Sequence, residues 1–157
     1  IMTNLKEIIF FSLFYICKQM IRFFNKKFVT LDDNQLSDWL FMIAKKEGFA
    51  IQKLYYNFVD ASKLYKLNKK FLNHNSDTDI LTFDYSVDNE ISAEAFISYE
   101  ALEQNAKKNK QSIEKETLRL ISHALLHCFG HNDNSPEEKS FMRLKEEEFM
   151  SMFHVKQ

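Results

Sequence analysis

The chain has 157 residues, 45% of them hydrophobic and sixteen of them Phe, enough to bury one sizeable core without covalent staples. A formal net charge of -1 excludes a global field for nucleic acid, so any such partner has to be met by a local basic patch. Two cysteines, Cys17 and Cys128, make no disulfide framework and point to a reducing cytoplasm, while two Gly and one Pro leave no obvious linker to a second domain.

Ile8 to Cys17 is a nearly continuous apolar run, about half the length that crosses a bilayer, so no membrane span is expected. Lys18 and Arg22 follow the run and no small-residue cleavage pattern appears, which speaks against a signal peptide. Residues 1–19 therefore read as an upstream extension outside the core, with Met20 as the natural start and 20–157 as a single domain. Ile21 to Phe28 predicts a first strand. Asp32 or Asp33 caps a helix through Trp39, Leu40 and Ile43 that Gly48 stops. Ala50 to Val59, rich in aromatic and β-branched residues, predicts a second strand.

Asp60 caps the next helix, where Leu64, Leu67 and Phe71 follow the helical period and Lys63, Lys66 and Lys70 share the spacing on another face. Such a stripe is either a solvated surface or, beside a metal site, a track for phosphates. Asn73 to Asp79 is a polar loop, Ile80 to Tyr85 a third strand and Ala93 to Ser98 a fourth, and Tyr99 to Lys110 is helical. Ser112 caps a helix running to Phe129. Ser135-Pro136-Glu137-Glu138 opens the last helix with an N-cap Ser, Pro at the first helical position and a Glu closing a capping box. The order β-α-β-α-β-β-α-α-α implies an α+β domain, a small four-stranded mixed sheet with helices packed on one face.

His123 and His127 lie on the helix before that last one, four residues apart, which stacks both imidazoles on one face roughly 40° apart around the axis. Gly130 suits the position just past the final turn, so Asp133 can return its carboxylate toward the histidines. The pattern H-x-x-x-H-x-x-G-x-x-D supplies three ligands of a zincin-like metal helix and leaves one coordination position for water, as in a catalytic zinc site. Core histidines with satisfied nitrogens are the plain alternative. Against it, Leu120, Ile121, Ala124, Leu125, Leu126 and Phe129 make the helix apolar almost all round, and one cation satisfies both rings together. Cys128 projects about 100° away from His127 and reads as a small buried apolar residue. His131 is a rival third ligand.

Two separated segments, N-K-K-F-L-N-H-N-S-D-T-D-I-L-T-F from Asn68 to Phe83 and H-A-L-L-H-C-F-G-H-N-D from His123 to Asp133, resemble the YbeY family of metal-dependent endoribonucleases of ribosomal RNA maturation. The likeness covers nearly everything from Met20 onward. It implies one zinc per chain held by His123, His127 and the residue at the Asp133 position, and a zinc-activated water that hydrolyses RNA phosphodiesters. It also implies processing of the 16S ribosomal RNA 3′ end, with ribosomal RNA and ribosomal particles as partners. Glu94 matches an acidic residue near the end of the family's fourth strand.

Ala124 stands where the family has glycine, His131 where it has tyrosine or a similar residue, and Asp133 where many members have histidine. Leu72 replaces an arginine that many relatives carry before T-D, and leucine cannot clamp a phosphate. Lys70, His74 and Arg119 are the candidates to supply that charge, Arg119 lying one turn before His123. The glutamate of H-E-x-x-H peptidases is missing, since Ala124 takes its position, which argues against a small zinc peptidase. A ribosome-associated assembly factor with a structural zinc is the remaining alternative.

Overall fold

The computed structural model describes residues 5–73 and 78–155, without the side chains of 14–19, 154 and 155. The elements run α1 (Leu5–Met20), β1 (Ile21–Phe24), α2 (Asp33–Glu47), β2 (Ala50–Val59), α3 (Ala61–Leu72), β3 (Ile80–Asp84), β4 (Glu90–Ser98), α4 (Tyr99–Lys108), α5 (Ile113–Cys128) and α6 (Pro136–Val155). The four strands form one mixed sheet in the order β1-β2-β4-β3, with β1, β2 and β4 parallel and β3 antiparallel to β4. From β1 onward this is the predicted α+β order.

β3 and α5 each end one residue early, at Asp84 and Cys128, and three boundaries moved further for local reasons. β1 stops at Phe24 instead of Phe28 because Asn25 and Lys27 take left-handed backbone conformations, at φ of 59° and 49°, that break the extended chain. β4 starts at Glu90, before the expected Ala93, because Asp88 turns at φ 53° and Val87 and Glu90 exchange backbone hydrogen bonds across it. α4 ends at Lys108, short of Lys110, whose own φ is 52°.

Alternation along the paired strands sends Leu54, Tyr56, Phe58, Ala93, Ala95 and Ile97 to one face, all buried in the main core with residues of α2, α4, α5 and α6. The order of elements predicts helices on one face of the sheet, and the structure carries them on both. Val59 and Leu81 are buried on the second face with Leu64 of α3, against Phe83 and Phe96, in a separate small cluster. An apolar stripe on a helix tells that it is covered, not which side of the sheet covers it.

α5 is fixed between sheet and α6. The buried Tyr56 hydroxyl donates to Ile121 O at 3.0 Å, and Trp39 Nε1 donates to Phe149 O at 2.7 Å, tying α2 to α6. α1 leads directly into β1 and touches β2 and α2, yet Leu5, Ile8, Ile9, Phe10, Phe11 and Leu13 are exposed. No helix among the described residues is long and apolar enough to cross a membrane.

Candidate metal centre

α5 is nucleated by the Ser112 side chain, which accepts from Lys115 N, and is ended by a glycine turn. Gly130, at φ 96°, sends its N–H to His127 O while His131 N–H reaches Leu126 O, the paired bonds of a Schellman cap. The reversal brings Asp133 back over the face that carries His123 and His127. Ser135 then opens α6: its hydroxyl accepts from Glu138 N, and Glu138 Oε2 accepts from the Ser135 and Asn134 N–H groups.

Three atoms converge at the reversal. His123 Nε2 and His127 Nε2 are 3.0 Å apart, and Asp133 Oδ2 lies 3.4 Å from the first and 3.6 Å from the second. The point in their plane equidistant from all three is about 1.9 Å from each, just inside the roughly 2.0–2.2 Å of zinc–nitrogen and zinc–carboxylate bonds. That spacing would suit one divalent ion held by all three residues.

The outer ring nitrogens decide what the inner ones can be. His123 Nδ1 lies 2.7 Å from Glu146 Oε1, and His127 Nδ1 lies 2.9 Å from the His131 carbonyl oxygen. Only a protonated Nδ1 can donate to those acceptors, so each neutral ring presents a bare lone pair at Nε2. Burial, then the neighbouring His123, holds the His127 imidazole below its ordinary pKa and keeps it neutral. With both rings in that neutral tautomer, the two Nε2 atoms and the carboxylate oxygen face one another with no donor among them. A cation is what this donor set accepts.

Glu146 was not anticipated from the sequence, although a signal existed. Met142, Phe149, Met150 and Phe153 form the buried stripe of α6, and Glu146 lies inside that stripe, buried itself. A carboxylate there needs a partner, and His123 is one. Arg119 is the other charge nearby, with NH1 3.8 Å from Glu146 Oε2. Its guanidinium also binds the fully buried Glu116 at 2.6 Å and Asp79 at 3.4 Å. Burial alone would lower the Arg119 pKa, but the bonds and charge of Glu116, then Glu146 and Asp79, hold it above its ordinary value. Asn105 and Gln111 complete the hydrogen bonding of Glu116. Arg119 thus faces three carboxylates, a different setting from the free phosphate clamp that its spacing suggested.

The remaining candidates are dispersed. His131 places its imidazole against Phe141, ring centroids 5.1 Å apart, and gives the site its carbonyl rather than its ring. Lys70 lies over Phe71 and does not line the cleft at the centre. His74 lies outside the described residues. Glu94 accepts from Asn57 across β2 and β4, away from the three donors. Burial pushes the Cys128 thiol up to about 12, so it stays a protonated core side chain.

Two clefts meet at the centre. The larger, about 490 Å³, is lined by His123, His127, Asp133, Asn68 and Leu72 of α3, and the stretch from Thr78 to Thr82 with Asp84. The smaller, about 200 Å³, shares His123 and Asp133 and continues over Arg119, Glu146 and the α6 residues Lys139, Met142 and Arg143.

Residues 16–154 match the family model described as Endoribonuclease YbeY. A relative from Flavobacterium johnsoniae named Endoribonuclease YbeY is 41% identical over 88% of this chain and its own entire length. One of the same name from Cytophaga hutchinsonii is 38% identical over 75% of this chain and 83% of its own. A solution structure of a Thermotoga maritima protein superimposes with a TM-score of 0.59 at 27% identity, covering 85% of this chain and 89% of that one.

Proposed function

The chain belongs to the YbeY endoribonuclease family, and from that premise we propose that it is a metal-dependent endoribonuclease of ribosomal RNA maturation, with His123, His127 and Asp133 holding one zinc ion. The observation that carries the reading is the convergence of two imidazole Nε2 atoms and one carboxylate oxygen within 3.6 Å of one another. Two imidazoles and a carboxylate suit zinc among the divalent ions. When bound, such an ion supplies positive charge to polarise a phosphodiester and to acidify water.

The chain's own residues do the rest. Glu146 keeps the His123 proton on Nδ1 and the ring turned inward, and the His131 carbonyl does the same for His127. Arg119 steadies Glu146 and is a positioning residue in this account. The large cleft admits the nucleic-acid chain beside the three donors, with Thr78, Thr82 and Asn68 as polar wall. Ala124 offers no base where a peptidase has its glutamate. The domain that carries this activity is residues 20–157, its substrate is ribosomal RNA on or near ribosomal particles, and its compartment is the cytoplasm.

The test is incubation of the purified protein with a structured ribosomal RNA fragment, with and without chelator. Cleavage that stops on chelation and returns with added zinc is the expected result; casein should remain intact. An RNA left whole under every divalent ion tried removes the nuclease reading.

A further inference from the structure

The large cleft poses an electrostatic problem for the proposed substrate. Its described lining carries three carboxylates, Asp79, Asp84 and Asp133, and no Lys or Arg. Leu72 occupies the α3 end of that wall. Among the described lining residues a polyanion entering there meets these carboxylates and no basic side chain, which disfavours it unless cations lie close by. Cations must be found at the next phosphate, and the smaller cleft is where they are.

That cleft is lined by three basic side chains, Arg119, Lys139 and Arg143. Arg119 is occupied by Glu116, Asp79 and Glu146. Among the described residues Lys139 and Arg143 have no ion-pair partner within 4 Å, and both are exposed. They stand one helical turn apart on α6, so their side chains are neighbours and can close on one anion from two sides. Both acidic residues of this cleft are already engaged: Asp133 faces the two Nε2 atoms, and Glu146 is bonded to His123. The two clefts share His123 and Asp133, so a strand lying across the metal centre passes from one into the other.

We propose that Lys139 and Arg143 form a phosphate subsite that grips the RNA backbone next to the bond being cut, on the α6 side of the metal centre. This rests on the nuclease reading and adds the polarity of the substrate track. Arg143 presents a planar fork for two phosphate oxygens, and Lys139 adds a point charge.

The experiment uses the zinc-loaded full chain and the variants Lys139→Ala, Arg143→Ala, the double variant and Arg143→Lys, with Lys108→Ala on α4 as a remote control. Three quantities are read: zinc content, steady-state cleavage of a single-stranded RNA, and affinity for the same RNA carrying 2′-O-methyl groups across a range of salt. Each alanine substitution should raise KM and Kd about tenfold, leaving kcat within about twofold and zinc content unchanged. The double variant should flatten the slope of log affinity against log salt by about 0.7, as the loss of one neutralised phosphate on a single strand requires. Arg143→Lys should recover part of the affinity, and Lys108→Ala should match the wild type. Cleavage by the wild type with unchanged KM, Kd and salt slope in the double variant overturns the subsite and leaves the nuclease standing. A fall in kcat accompanied by zinc loss also overturns it, since the pair would then be acting on the centre itself. A wild-type protein that neither binds nor cuts RNA removes the nuclease reading and the subsite with it.

Discussion

Glu146 governs how His123 presents its ligand atom, through the 2.7 Å contact between Oε1 and Nδ1. Glu146→Gln keeps the volume but weakens the acceptor and the basicity it lends the ring, so zinc affinity should fall about 10–100-fold in a competition titration with an intact far-ultraviolet spectrum. An unchanged affinity would mean that the ring is held some other way. Gly130 makes a second residue-scale prediction. Nothing lies within 4 Å of where its Cβ would stand, so the strain of Gly130→Ala is purely that of φ 96°. The cost should be about 1–2 kcal/mol by chemical denaturation, and a negligible cost would show that the turn tolerates side chains. Both histidines, the glycine and Asp133 were legible because they are close in sequence and their spacing alone sets their geometry. Glu146 and Asp79 were not, because they reach the site from other elements, and only the stripe around Glu146 hinted at a buried partner.

Helix caps were legible at the same level of detail, with one informative exception. Asp60 stands at the N-cap of α3 as predicted, yet its side chain makes no capping bond; Glu100 Oε2 of α4 accepts from Ala61 N at 2.8 Å instead. A cap borrowed from another element has no local sequence pattern. The backbone N–H of Glu100 itself, then that of Ala61 and the Ser98 hydroxyl, outweigh burial and hold this carboxyl below its ordinary pKa. Glu100→Ala should therefore cost about 1 kcal/mol near neutral pH. A group whose folded pKa is depressed stabilises above its ordinary pKa and loses that contribution as pH falls through the folded value. The difference between wild type and variant should accordingly shrink on acidification, and a difference that is constant across the carboxylate range in denaturant titrations would rule this cap out.

The whole molecule is arranged so that one helix, α5, takes its position from the sheet through Tyr56 and passes it to α6 through the His123–Glu146 contact. The α+β class and the chain order of the elements from β1 onward follow from short-range patterns, whereas the sheet order β1-β2-β4-β3 and the side of the sheet that α3 covers follow from long-range packing, and α1 was not anticipated. Because the three donors and Glu146 join α5, the connection after it and α6, an ion bound there should stabilise the native state as a whole. At a free ion concentration a hundred times Kd the gain is about 2.7 kcal/mol, so chelation should lower the calorimetric melting midpoint by roughly 5–10 °C. A midpoint indifferent to chelator would separate the site from the fold.

Whether His123, His127 and Asp133 hold one ion is decided by the metal stoichiometry of the purified protein beside Asp133→Ala and His131→Ala. The wild type and His131→Ala should each carry one zinc per chain, and Asp133→Ala should lose stoichiometric zinc. Zinc retained by Asp133→Ala and lost by His131→Ala would contradict this ligand set.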